Sequence, residues 1–136
     1  MRIIRSIDYA EAKRTIDLLT AEIAQSGRAG VIAVADPAGE LIAFARMDGA
    51  PVSSIRIAAN KAYSAARERK STEEIGQKAR HPEKGVEFAY FGDVRFVAWG
   101  GGVPVWRAGE VVGAVAVSGL PQAEDIRLAS WAAGLI

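Results

Sequence analysis

Cysteine is absent from the 136 residues, which excludes disulfides, thiolate catalysis, iron–sulfur clusters and thiolate zinc sites at once. Histidine occurs once, as His81, so no His-based metal cluster and no H-E-x-x-H helix can form. No stretch approaches the ~20 apolar residues that span a bilayer. The opening Met1 to Asp8 also lacks the apolar core of a signal peptide. The expectation is a cytoplasmic protein with no membrane partner. An excess of one charge is missing too. The 17 Lys and Arg stand against 16 acids, so no basic stripe for nucleic acid is read. The phosphate loop, the dinucleotide fingerprint and the G-x-S-x-G elbow are likewise missing.

What is present has an ordinary globular balance, 50% hydrophobic and 24% charged. The length fits one domain over residues 1–136 and suffices to bury roughly two thirds of the unfolded surface. Asp8 and Glu11 stand three apart like a capping box, and Ala12, Ile16, Leu19 and Ile23 draw one apolar stripe behind them. Gly27 is a plausible stop. Val31 to Ala35 reads as a buried strand and Leu41 to Met47 as its hairpin partner across Asp36-Pro37-Ala38-Gly39.

From Ser53 or Ser54 to about Arg69 the chain is helical in pattern. Ser71 and Glu74 open a short second helix that His81-Pro82 ends. Residues 81–92 read as a loop and Val94 to Trp99 as a strand, interrupted by Gly100-Gly101-Gly102. Val103 to Trp106 and Glu110 to Val117 form a second hairpin, and Pro121 opens a last helix. The order α-β-β-α-α-β-β-β-α argues an α+β fold, its sheet mainly antiparallel, with helices packed on one face.

Several residues could carry chemistry. His81 is the only imidazole for a metal or haem iron, against its reading as an exposed or capping loop residue. The glycines at 100–102 allow close approach of a ligand or of another strand. Ser118-Gly119 ahead of a helix could hold an anion or merely turn the chain. Lys61 is a solvated side chain or, if buried, a catalytic amine or an anion ligand. Glu124 and Asp125 complement a helix dipole, or act as acid and base if a neighbour raises one of them. Phe88, Tyr90, Phe91, Phe96, Trp99 and Trp106 could line a flat apolar pocket or an oligomer interface. The interface is preferred, because helices on one face would leave the other uncovered.

Together, Asp36-x-x-Gly39-x-Leu41, Arg46-Met47-Asp48-Gly49-Ala50 and Ala58-x-x-Lys61-Ala62 form an ordered set. Gly101-Gly102-Val103-Pro104-Val105, Gly113-Ala114-Val115-x-Val117-Ser118-Gly119 and Asp125 continue it. The chain strongly resembles the GlcG/HbpS family, also met as the C-terminal domain of PduO-type proteins. The resemblance implies a profilin- or PAS-like domain with a five-stranded sheet. It also implies homo-oligomers, with dimers assembling into larger closed forms. It makes haem the candidate cofactor. The family often has Gln where this chain has Glu124. Members of the PduO-like branch can place a haem-ligating His in the first helix, whereas Tyr9 to Gln25 contains none. A haem ligand would then be His81, Met47 or a tyrosine.

Two functions remain open on this reading. The first is an oligomeric small-ligand-binding protein, for haem or a small carboxylate. Its site would comprise Asp48, Gly49, Lys61, Gly101, Gly102, Pro104, Ser118 and Gly119. The second is a cofactor-free isomerase or lyase acting on a small organic acid. There Lys61, Asp48, Glu124 and Asp125 would move protons, and the Ser118-Gly119 amides would stabilise an oxyanion.

Overall fold

The computed structural model describes all 136 residues. Its elements are α1 (Tyr9–Gln25), β1 (Val31–Ala35), β2 (Leu41–Arg46), α2 (Ser54–Glu68), α3 (Thr72–Ala79), a 3-10 turn over Gly85–Tyr90, β3 (Gly102–Arg107), β4 (Glu110–Ser118) and α4 (Gln122–Leu135). A capping box at α1 and a serine cap at α3 set two of the starts. Asp8 accepts from the Glu11 amide while Glu11 accepts from the Asp8 amide, and Ser71 accepts from the Glu74 amide. The first hairpin turns on Asp36, whose carboxylate accepts from the Ala38 and Glu40 amides. The second turns on Ala108 and Gly109, both at positive φ, the two-residue geometry that matches strand twist.

The sheet is antiparallel throughout, in the order β2-β1-β4-β3, with four strands rather than five. The expected strand Val94 to Trp99 does not form. Its backbone groups are satisfied by side chains instead. The Val97 amide donates to Ser64 Oγ at 2.9 Å, the Arg95 amide to Asp93 at 2.9 Å, and Arg80 donates to the Ala98 carbonyl at 2.9 Å. The segment therefore lies over α2 and α3, and a β-rich composition is overridden by tertiary partners. Gly76 of α3 makes this possible, since a Cβ there would strike the Ala98 carbonyl.

Helices cover both faces of the sheet, not one. Strand residues alternate in facing. Ile32, Val34, Val115 and Val117 point to α1 and α4 and share a core with Leu19, Ile23 and Leu128. Val31, Ala33, Ala35 and Ala116 point the other way, onto Ala58 and Ala62 of α2. The first core is built of branched side chains. The second is almost all alanine, which lets α2 lie close to the sheet. An uncovered sheet face is thus not available as an oligomer surface. No helix is long and apolar enough to cross a membrane.

Candidate functional site

The end of the sheet where β4 leaves it is the most chemically unusual part of the molecule. Ser54, Ala58, Lys61 and Ala62 follow at helical spacing, so one stripe of α2 faces the sheet. Lys61 is accordingly only 1% exposed. Its ammonium donates to the Val117 carbonyl at 3.1 Å and to Asp125 Oδ2 at 3.3 Å. Asp125 comes from α4, on the opposite face of the sheet, and its other oxygen accepts from the Leu120 amide at 3.2 Å. The pair thus joins the two helical layers around the end of β4.

Glycine makes room for it. A Cβ on Gly101, whose φ is +128°, would lie 2.5 Å from Lys61 Nζ, and one on Gly102 would lie 2.5 Å from the Lys61 carbonyl. The Gly102 amide donates to Thr72 Oγ1 at 2.9 Å. Burial pushes the Asp125 carboxyl up from 3.8 to about 6, against the opposing pull of Lys61 and of the Leu120 amide. Burial also lowers the Lys61 ammonium from its ordinary range, and Asp125 offsets part of that.

This geometry sorts the sequence expectations. Lys61, Asp125, Gly101 and Gly102 meet, and Ser118-Gly119 is the link between the two carbonyl and amide anchors of the pair. Lys61 is not a solvated side chain. Its partners in the folded chain are internal, the Val117 carbonyl and the Asp125 carboxylate. Glu124 is turned away to solvent and binds Arg127 at 2.8 Å, so it does not join the pair. Asp48 and Gly49 are exposed in the turn before α2, and Pro104 is buried on β3, where an edge strand tolerates the missing amide. Ser54, which the sequence reading passed over, lies against Gly119. Its position seven residues before Lys61, on the same stripe, was the available signal.

The aromatics gather elsewhere. Phe88, Phe91 and Phe96 pack on one another, and Phe96 packs onto Tyr63, with ring centroids 5.0–5.8 Å apart. Tyr63 donates to Asp93, and Arg95 stacks on its ring at 3.7 Å. Tyr90, Trp99 and Trp106 remain exposed. Between α3 and the 3-10 turn lies a groove of 660 Å³ with Ile75, Phe88 and Phe91 as its apolar wall. Lys78 on its rim pairs with Glu87 at 3.4 Å, whereas Lys70 and Lys84 form no ion pair.

His81 also lines this groove. Its Nδ1 accepts from the Glu83 and Lys84 amides at 3.2 and 3.1 Å, so it caps the following turn. The proton then resides on Nε2. Met47 packs against the α1/α4 core, away from this groove. No group of three or more His, Asp or Glu side chains converges as a metal site.

The family model described as haem degrading protein HbpS-like matches residues 7–133. The chain belongs to the HbpS-like family. An uncharacterized 15.0 kDa protein from the dhaT–dhaS intergenic region of Citrobacter freundii is 35% identical over 129 residues, covering 95% of this chain and 91% of that protein. The crystal structure of protein ORFY of Klebsiella pneumoniae superposes with a TM-score of 0.92 at 30% identity, over 98% of this chain and 92% of that one. PduOC, crystallised as a haem complex, gives a TM-score of 0.81 at 25% identity, over 96% of this chain and 95% of that one. The HbpS-like resemblance read from the ordered motifs is therefore correct.

Proposed function

We propose that this HbpS-like chain is a small-ligand-binding protein. Its ligand is a flat, apolar dianion of the haem class, taken between α3 and the 3-10 turn. The observation that carries this reading is the 660 Å³ groove, with its apolar wall of Ile75, Phe88 and Phe91 and with Lys70 and Lys84, which form no ion pair although Glu68, Glu74 and Glu87 also line it. Aromatic rings suit the face of a tetrapyrrole, and two ammonium groups suit its two propionates. Family membership and the haem complex of a relative support the same class. The iron is a different matter. With Nδ1 engaged by two amides, His81 offers no lone pair at Nε2, so its present geometry does not fit axial ligation. What supports the reading is the apolar wall for the ring and the two lysines without ion pairs for its carboxylates.

Parallel titrations of the purified protein with haemin and with metal-free protoporphyrin IX, followed by absorbance and fluorescence, test this. Both should saturate near one ligand per chain with Kd values within about threefold. Lys70→Ala/Lys84→Ala should weaken both, and His81→Ala should change neither. Haemin binding that His81→Ala abolishes, or no saturation by either ligand, overturns the reading. Self-association is part of the same proposal, with exposed Trp99 and Trp106 as contact residues. Light scattering should return a multiple of the monomer mass, reduced when both are replaced by Ser.

A second reading, a cofactor-free isomerase or lyase for a small organic acid, draws on the buried amine of Lys61 beside an Asp125 carboxyl raised to about 6. Isotope exchange from the α-carbon of candidate acids, lost in a folded Lys61→Met/Asp125→Leu variant, would support it. Exchange that the substitutions leave unchanged would dismiss it.

A further inference from the structure

A second ligand site, independent of the groove, lies at the other end of α2. Two serines there are almost wholly buried, Ser54 at 4% exposed and Ser118 at 3%. Neither hydroxyl has a hydrogen-bond partner within the chain. No sealed side-chain polar atom of the molecule is left unpaired, so both hydroxyls open on solvent. Both lie where the start of α2 meets the end of β4. Ser118 follows Ala116 at a two-residue step on β4 and so shares the α2 face of the sheet. Ser54 begins α2 and stands against Gly119, where a Cβ would come within 3.2 Å of its Oγ.

The backbone adds donors. Around the first turn of α2 the amides of Ser54, Ile55 and Ile57 return to the carbonyls of Pro51, Val52 and Ser53, which leaves that of Arg56 without a backbone acceptor. Ser53 provides no side-chain cap, and no acid occupies the first turn. A side-chain cap or a first-turn carboxylate is what ordinarily stabilises such an end. Here that place is empty of both, with two unpartnered hydroxyls beside it.

We propose that Ser54, Ser118 and the α2 N-terminus form a cradle for the carboxylate of a small organic acid. The charge balance selects the ligand class. A helix N-terminus presents roughly half a positive charge. The one buried cation nearby, Lys61, is already neutralised by Asp125. A monoanion matches that field, whereas a phosphate dianion lacks a partner charge. Two hydroxyls and one amide also suit two oxygens better than four. Gly119, at φ +104°, is part of the site because any side chain there would fill the cradle. Lys61 and Asp125 are positioning residues. They hold the Val117 carbonyl and the Leu120 amide on either side of Ser118-Gly119.

Amide chemical shifts of the full chain, titrated with sodium acetate at constant ionic strength, test the cradle, with chloride and inorganic phosphate as separate probes. The Ser54, Arg56 and Gly119 resonances should move saturably with acetate. Chloride should not move them, and phosphate should do so at least tenfold more weakly. The Ser54→Ala/Ser118→Ala variant should lose at least tenfold in acetate affinity while keeping the rest of its spectrum and its melting temperature. Unchanged affinity in that variant, equal response to chloride, or no saturable shift overturns the proposal. Saturation by phosphate alone overturns the carboxylate assignment. A fall in the variant's melting temperature without ligand would show that the hydroxyls serve the fold instead.

Discussion

The buried pair beside β4 and the groove beside α3 treat charge in opposite ways. At the sheet end, Lys61 and Asp125 are buried, joined to each other, and bonded to backbone at both sides. In the groove, Lys70 and Lys84 form no ion pair and share the lining with Ile75, Phe88 and Phe91 and with Glu68, Glu74 and Glu87. The first arrangement fixes a chain path, and the second leaves charges to be matched from outside. A buried ionic pair is therefore poor evidence of a binding site by itself, since its partners are already supplied. The unpaired groups next to it are the better indicator.

The largest effect should come from breaking the pair. Lys61→Met leaves a buried carboxylate without its cation and should cost about 3–5 kcal/mol in urea unfolding. Lys61→Met/Asp125→Leu should recover most of that loss. If the double variant is as unstable as the single, the pair matters mainly through its bonds to Val117 and Leu120, and the contrast sharpens. Next comes Gly102→Ala, whose Cβ would lie 2.5 Å from the Lys61 carbonyl, with a cost of about 1–3 kcal/mol in the same assay.

A smaller signature should appear with pH. The folded state holds the Asp125 proton more tightly than the unfolded chain does, because its carboxyl is raised to about 6. That contribution favours folding fully below about pH 4 and is lost as pH rises through about 6. Wild type should thus lose stability relative to Asp125→Asn over that interval, and a flat difference would contradict the burial of the carboxyl. The smallest change in stability should follow Lys70→Ala/Lys84→Ala, within about 0.5 kcal/mol of wild type. Its effect belongs to haemin affinity, so a large loss of stability would break the distinction between the two regions.

Much of the fold was legible because local chemistry agreed with it. The capping pairs Asp8/Glu11 and Ser71/Glu74, the Asp36 turn and the stripe Ala12-Ile16-Leu19-Ile23 all act over a few residues. Val94 to Trp99 misled because its strand-like composition reports only that side chains can pack. Ser64, Asp93 and Arg80 take its backbone groups, and two of those three lie far from it in sequence. The one-sided sheet was also an error. Val31-Ile32-Ala33-Val34-Ala35 is apolar on both faces, which is the pattern of a strand buried twice.

The site was legible by residue type and not by arrangement. Lys61, Asp125, Gly101, Ser118 and Gly119 were each identifiable from the ordered motifs, yet 64 positions separate the two ionic partners. Nothing local distinguishes Asp125, which is buried, from Glu124, which is solvated, although the two are adjacent in one helical turn.

By itself, the sequence determined the family, the helix starts, the two hairpins and the exclusion of cysteine chemistry. These depend on residue identity and on interactions spanning a few positions. The tertiary structure alone decided which charged groups are neutralised and which hydroxyls are left without partners. Desolvation and pairing depend on what the whole chain brings within a few ångströms, and that distance is not a property of sequence spacing.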